Sequence, residues 1–135
     1  MERSGWKAGK GDVKVLVVED NERTLRAIIE ELVGAGYLVA WARNVQEALE
    51  KAFHLPLDLI ITDYEMPVMD GGELIKMVRE RHPRLPIILL PGDHQAPEEM
   101  ERIEHLWLLP KPFTFEALHS IMEEALREEG QARSV

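Results

Sequence analysis

Short runs of aliphatic residues alternate along the chain with stretches whose apolar residues recur every three or four positions. The first run, residues 13–18, is a β-branched and aliphatic segment of the kind found in strands that are covered on both faces. From residue 22 onward one helical face carries the apolar side chains, namely Leu25, Ile28, Ile29, Leu32 and Val33. Because this strand and helix unit repeats, the sequence predicts an α/β fold with a mostly parallel sheet and helices on both of its faces.

The pattern also gives approximate boundaries for each element. Strands are predicted over residues 13–18, 37–42, 57–62, 86–90 and 106–109. Helices are predicted over residues 22–34, from Val45 to Phe53, over 72–81 and 97–105, and after residue 114. Side chains suited to cap three of these helices are Asn21, Asn44 and Thr114. Residues 1–12 are predicted to be a flexible tail, 13–128 a single folded domain and 129–135 a second tail.

Composition narrows the classes of function. The 135 residues suit one domain, and a hydrophobic fraction of 45% is that of an ordinary globular protein. The absence of cysteine excludes disulfides, thiolate zinc sites and cysteine nucleophiles. The formal charge of -9 argues against direct binding to nucleic acids or anionic membranes. No apolar run approaches the roughly 20 residues of a membrane span, and the start lacks the apolar core of a signal peptide, so we expect a cytoplasmic protein.

Charged residues follow three of the predicted strands. Glu19 and Asp20 come directly after the first strand, Asp63 follows the third, and Lys111 follows the fifth. The carboxyl ends of parallel strands share one edge of a sheet, which is where α/β proteins bind ligands, and the Pro91-Gly92 pair belongs to the same edge. Three neighbouring carboxylates repel one another unless a cation relieves them, and Mg²⁺ prefers such oxygen ligands. The sequence therefore predicts a magnesium site at this edge.

A lysine beside a carboxylate and metal cluster favours chemistry on phosphoryl groups. Phosphoryl transfer depends mostly on positioning and on neutralisation of charge, and an aspartate can itself be the nucleophile. Asp63, with Lys111 on the same edge of the sheet, is the candidate for that role.

Three segments together resemble the receiver domain of two-component response regulators, over about residues 13–128. They are the acidic pair Glu19-Asp20, the segment Asp63-Tyr64-Glu65-Met66-Pro67-Val68-Met69-Asp70-Gly71, and Lys111-Pro112-Phe113. The resemblance implies a flavodoxin-like, doubly wound parallel sheet with the strand order 2-1-3-4-5. It also implies a signalling domain that accepts a phosphoryl group, and not an enzyme that turns over an external substrate.

The resemblance assigns a role to each residue of the acidic edge. Asp63 is similar to the phosphoacceptor, which receives the phosphoryl group from the histidine of a sensor kinase. Asp20 and Asp63 would bind Mg²⁺ through their side chains, Glu65 through its backbone carbonyl, and Glu19 mainly through water. Lys111 would be the counter-charge of the phosphoryl group. Pro67 and Gly71 are expected to shape the loop after Asp63, the glycine by permitting turns closed to other residues.

The chain departs from the family pattern where a serine or threonine normally contacts the phosphoryl oxygen. Pro91 occupies that position and offers neither a hydroxyl nor an N–H. Between Thr62 and Thr114 the chain has no serine or threonine at all. The loss of one hydrogen bond to a charged group is worth roughly 1.5–3 kcal/mol, which slows transfer without abolishing it. Metal, Lys111 and the backbone N–H of Gly92 would still hold the phosphoryl group.

A second departure lies in the fifth strand. Leu108 stands where the family places a tyrosine or phenylalanine that turns inward on activation. Strand alternation directs the neighbouring Trp107 to the opposite face, so this side chain cannot take over that role. The small Gly-Ala turn that normally precedes the fifth strand is also missing. We conclude that the usual coupling between hydroxyl and aromatic residue is absent here.

Three classes of function remain open from the sequence. In the first, phosphorylation of Asp63 changes contacts with a downstream protein, or self-association, through the face of the fourth helix, fifth strand and last helix. In the second, a pseudo-receiver binds its partner independently of phosphorylation, as Pro91 and Leu108 suggest. In the third, a magnesium phosphohydrolase uses Asp63 as nucleophile, although Glu65 stands where such enzymes place a second aspartate.

Overall fold

The computed structural model describes residues 13–92 and 98–134, so the predicted N-terminal tail lies outside the described residues. Five strands are present: β1 (Lys14–Val18), β2 (Leu38–Ala42), β3 (Leu59–Asp63), β4 (Ile87–Leu90) and β5 (Leu106–Leu108). The described part also contains four α-helices: α1 (Glu22–Gly34), α2 (Val45–His54), α3 (Gly71–Arg81) and α4 (Phe115–Ser134). A short 3₁₀ helix, Glu98–Arg102, lies between β4 and β5.

The five strands form one parallel sheet in the order β2-β1-β3-β4-β5. This confirms the flavodoxin-like α/β fold and the strand order expected from the resemblance. The order reverses beside β1, since β2 pairs with one edge of β1 and β3 with the other. The carboxyl ends of β1 and β3 are therefore neighbours, and the loops after them meet at one edge of the sheet.

Alternate residues of the central strands contribute to two separate cores. Val15 and Val17 pack with α1 and α4 on one face of the sheet. Leu16 and Val18 pack with α2 and α3 on the other face. All four side chains are fully buried. The first aliphatic run of the sequence is thus a strand covered on both faces, as its composition predicts.

The predicted helix caps are confirmed. The side chains of Asn21 and Asn44 accept hydrogen bonds from the backbone N–H groups of Thr24 (3.0 Å) and Glu47 (2.8 Å). Thr114 Oγ1 accepts one from the N–H of Ala117 at 3.0 Å. Each cap satisfies an N–H group that has no partner inside its own helix. Helix α3 starts one residue earlier than predicted, at Gly71, where Asp70 and Glu73 form a reciprocal capping box.

The predicted fourth helix, residues 97–105, is wrong as an α-helix. The described part of this segment holds only the 3₁₀ helix, and Ile103 N–H donates to the carbonyl of Met100 three residues earlier, at 3.3 Å. These two apolar residues are spaced by three, which suits a 3₁₀ turn as well as an α-helix. The turn into β5 is made by His105 at φ 61°, without the Gly-Ala pair of the family. The Arg79 guanidinium holds it by donating to the carbonyls of Glu104 and His105, at 3.0 and 2.8 Å.

The last helix is longer than predicted. Helix α4 continues to Ser134, through most of the segment 129–135 that the sequence predicts as a tail. Glutamate, glutamine, alanine and arginine are strong helix formers and surround the single glycine at position 130. Among the residues described, no helix combines the length and the apolar character that a membrane crossing requires.

Candidate functional site

The predicted acidic residues meet at the carboxyl edge of the sheet. Glu19 and Asp20 follow β1, and Asp63 is the last residue of β3. One carboxylate oxygen from each of the three lies within 4.8 Å of the others. Glu19 and Asp63 are 1% and 5% exposed, whereas Asp20 is open to solvent. The structure therefore places the three carboxylates together, in an arrangement that offers hard oxygen donors to a cation.

Lys111 joins this cluster from the segment after β5. Its Nζ donates to Glu19 Oε1 at 3.0 Å and lies 3.1 Å from Asp63 Oδ1. The backbone N–H of Lys111 donates to the carbonyl of Pro91 at 2.8 Å, which fixes the segment beside the end of β4. Three carboxylates and one ammonium leave two negative charges uncompensated, so a divalent cation matches the charge of the cluster.

The proximity of these groups changes their ionisation. Burial, reinforced by the charge of Asp63, raises the pKa of Glu19 above its ordinary value, and the hydrogen bond from Lys111 only partly opposes this shift. Burial would lower the pKa of Lys111, but the hydrogen bond to Glu19 and the two neighbouring carboxylates outweigh it and raise that pKa. The lysine therefore stays protonated at neutral pH, and Glu19 holds a proton more tightly than a free glutamate does.

The loop after Asp63 depends on Gly71, for a different reason than the sequence suggests. A Cβ at position 71 would lie 2.4 Å from the carbonyl oxygen of Asp63 and 3.0 Å from Leu89 Cδ1. The N–H of Gly71 also donates to the carbonyl of Tyr64 at 2.7 Å. Gly71 is required for this close approach and not for a positive φ. The residue of the loop that adopts a left-handed conformation is Val68, with φ 72°.

Pro91 and Leu108, the two departures from the family pattern, lie at the positions that the sequence predicts for them. Pro91 is buried at the end of β4, and Gly92 follows it and lines the same cleft as Asp63. Leu108 packs with the α2 and α3 core, and Trp107 packs with the α1 and α4 core. The side chains at positions 107 and 108 therefore lie on opposite faces of the sheet, as predicted.

A cleft of about 640 Å³ opens beside the carboxylates and reveals residues that the sequence reasoning missed. Asp63, Glu65, Gly92 and Lys111 line one part of it. The rest of the wall comes from the first turns of α1, from the segment before α4 and from the first residue of α4, with Arg23, Thr24, Ala27, Ile28, Pro112, Phe113 and Phe115. Thr24 is one of these wall residues, and it is the only serine or threonine among them. The sequence could have indicated this place for Thr24, because the residue lies in the first turn of the helix that follows Glu19-Asp20.

Comparison with known proteins agrees with this geometry. Residues 15–123 match the family model described as the response regulator receiver domain. The chain is 30% identical over 127 residues to the DNA-binding transcriptional regulator NtrC of Escherichia coli (strain K12), covering 90% of this chain and 27% of the relative. It is also 30% identical over 123 residues to the sensor kinase CckA of Brucella abortus (strain 2308), covering 88% of this chain and 13% of that protein. This chain thus spans about a quarter or less of the length of these two relatives.

Among solved structures, the chain is similar to the chemotaxis protein CheY4 of Vibrio cholerae. The two share 34% identity with a TM-score of 0.78, over 85% of this chain and 99% of that one. On the family model, the relatives and the fold, the chain belongs to the family of response regulator receiver domains.

Proposed function

We propose that this chain accepts a phosphoryl group on Asp63 from the phosphohistidine of a sensor histidine kinase and thereby switches its contacts with partners. The observation that carries the proposal is the setting of Asp63. Its side chain is almost fully buried, Lys111 Nζ lies 3.1 Å from Oδ1, and two further carboxylates offer oxygens within 4.8 Å. A buried carboxylate with an ammonium and a matched cation site suits a nucleophile for phosphoryl transfer.

The cluster fits Mg²⁺ by the chemistry of its donors. Asp20 and Asp63 would bind the ion through their carboxylates, and Glu65 through its backbone carbonyl. Both carboxylate oxygens of Glu19 are already engaged, one by Lys111 at 3.0 Å and the other by the N–H of Asn21 at 3.1 Å. This supports an indirect role for Glu19, through water. Bound Mg²⁺ would supply positive charge for the phosphoryl oxygens.

The transfer step balances without further reactants. A carboxylate oxygen of Asp63 attacks the phosphorus atom of the phosphohistidine. The P–N bond breaks and its electron pair returns to the ring, which leaves as neutral imidazole because its other nitrogen carries a proton, while the new O–P bond gives an acyl phosphate on Asp63. Lys111 would provide the counter-charge, and the N–H of Gly92, at the cleft wall, would donate to a phosphoryl oxygen.

The chain also supports a second candidate, a pseudo-receiver that binds partners independently of phosphorylation. Buried Pro91 replaces the hydroxyl residue of the family, and Leu108 replaces its aromatic switch residue. In either case, the output would pass to a downstream protein or a second copy through the surface of the 3₁₀ helix, β5 and α4. The family assignment favours both signalling roles over a phosphohydrolase. The cytoplasmic location remains a prediction from the sequence.

Phosphorylation with a small donor tests the proposal. Acetyl phosphate with Mg²⁺ is expected to add one phosphoryl group to the wild-type chain by intact-mass analysis, because the acceptor and its counter-charge are preassembled. Asp63→Asn, which keeps the size of the side chain, and wild type in EDTA are expected to remain unmodified. An unmodified wild type after prolonged incubation with acetyl phosphate and Mg²⁺ would contradict the proposal and favour the pseudo-receiver.

A further inference from the structure

Val68 has an unusual conformation for its residue type. It lies in the loop between β3 and α3, its φ is 72°, and its side chain is 100% exposed. The N–H of Met69 donates to the carbonyl of Pro67 at 2.8 Å, which closes a three-residue turn with Val68 at its centre. A turn of this kind with a positive φ is rare and strained.

Valine is costly at this position because of its backbone conformation. A β-branched side chain is a genuine outlier in the left-handed region, where glycine and asparagine are favoured. The residue is fully exposed, so within the described part of the chain no packing contact of the Val68 side chain offsets this strain. Such outliers cluster at active sites, ligand clamps and switch regions, where the strain is part of the mechanism.

The position of the loop indicates which molecule would contact Val68. Val68 follows Asp63 by five residues, at the carboxyl edge of the sheet. A shallow cavity of about 490 Å³ adjoins the turn and is lined by Tyr64, Glu65, Met66, Pro67 and Asp70. A protein that delivers a phosphoryl group to Asp63 must bring its own donor to this edge, so it comes within reach of the loop. Glu65 and Glu73, which flank the turn in the sequence, are exposed.

We propose that Val68 is a docking residue, which inserts into an apolar pocket of the phosphodonor protein, and that basic side chains surround this pocket. The negative charge around the tip provides the complementarity. This inference rests on the proposed function, because it takes the phosphodonor to be a protein that approaches Asp63. It assigns to a single side chain part of the selection between protein donors.

A comparison of a small phosphodonor with a protein phosphodonor distinguishes a loss of docking from a loss of phosphoryl transfer itself. The test variant is Val68→Asn, which suits a left-handed conformation and removes the apolar group. The matched control is Val33→Asn, since Val33 is also an exposed valine (55%) but lies near the end of α1, at the opposite edge of the sheet. The small donor is acetyl phosphate. The protein donor is the autophosphorylated sensor kinase that transfers fastest to the wild-type chain among those purified from the source organism.

The expected result for Val68→Asn has three parts. Its melting temperature rises, because the strain is relieved. Its labelling rate with acetyl phosphate stays within about twofold of wild type, and kcat/KM for transfer from the kinase falls about tenfold through a higher KM, as for the loss of one buried valine contact. Val33→Asn is expected to retain both rates.

Each contrary result has a distinct meaning. Kinase transfer to Val68→Asn at the wild-type rate would overturn the docking role and leave the proposed function intact. Equal losses with both donors would overturn it as well, since Val68 would then act through the shape of the loop. Failure of acetyl phosphate to label the wild-type chain would contradict the proposed function itself and the docking role with it.

Discussion

Single residues determine the character of the site. Lys111 and Glu19 are separated by 92 positions in the sequence and are joined by one hydrogen bond of 3.0 Å. The sequence predicted this meeting because both residues directly follow strands of a parallel sheet. It could not predict that Val68 is the left-handed residue or that Gly71 contacts the carbonyl of Asp63, because both depend on the path of the loop in three dimensions.

The ionisation of Glu19 makes stability depend on pH at this scale. Burial, followed by the charge of Asp63, raises its pKa above 4.5, so the folded state holds the proton more tightly than the unfolded chain. The resulting stabilisation is complete below the unfolded pKa of 4.5 and is lost as pH rises through the folded pKa.

We therefore expect wild type to gain stability relative to Glu19→Gln as pH falls from neutrality towards 4.5. The free energy of unfolding by urea, measured for both proteins in EDTA at constant ionic strength, checks this. If the difference in unfolding free energy between the two proteins stays constant over this range, or changes in the opposite direction, the folded protein does not raise the pKa of Glu19.

At the scale of elements, strand and helix positions were largely predictable, and the connection between β4 and β5 was not. Long apolar stripes and capping residues identified α1, α2 and α3 almost to the residue. Between β4 and β5 only Met100 and Ile103 mark a period, and two residues cannot distinguish a 3₁₀ helix from an α-helix. The turn at His105 depends on Arg79, from α3, which no local pattern reveals.

The packing of α3 against β3 gives a prediction at this scale. Gly71→Ala places a methyl group 2.4 Å from the backbone oxygen of Asp63, and that oxygen cannot move without displacing the strand. We expect a loss of about 1–3 kcal/mol in the free energy of unfolding, as for other overpacked sites. Chemical denaturation measures this loss.

Gly34→Ala in α1 is the matched control, because a Cβ at position 34 meets nothing within 4 Å. Its stability should equal that of wild type or exceed it by up to about 1 kcal/mol, since alanine favours helix more than glycine. Equal effects of the two substitutions would show that the approach of Gly71 to Asp63 is not tight.

At the scale of the whole molecule, the loop after β1 and the end of β3 concentrate negative charge at one edge of the sheet. Glu19, Asp20 and Asp63 stand together in a chain whose formal charge is already -9. Their mutual repulsion opposes folding, and a bound divalent cation relieves it only in the folded state. Cation binding and global stability are therefore linked.

Magnesium should consequently stabilise the entire chain. Once its concentration exceeds the dissociation constant, each tenfold increase should add about 1.4 kcal/mol to the free energy of unfolding. Thermal or urea unfolding at several MgCl₂ concentrations measures this slope, with NaCl of equal ionic strength as control. Asp20→Asn, which removes an exposed ligand without disturbing the core, should flatten the dependence. A slope that is the same for both salts would contradict a specific site.

Lys111 follows the three carboxylates of the site in the sequence. A ribosome that has synthesised β1 through β4 has already produced every carboxylate of the cluster, but the ammonium group still lies beyond the unfinished β5. A truncated or half-folded copy therefore presents the acids without their counter-charge. Under the proposed function, Asp63 therefore becomes a competent acceptor only after β5 has joined the sheet and Lys111 has reached the acidic edge.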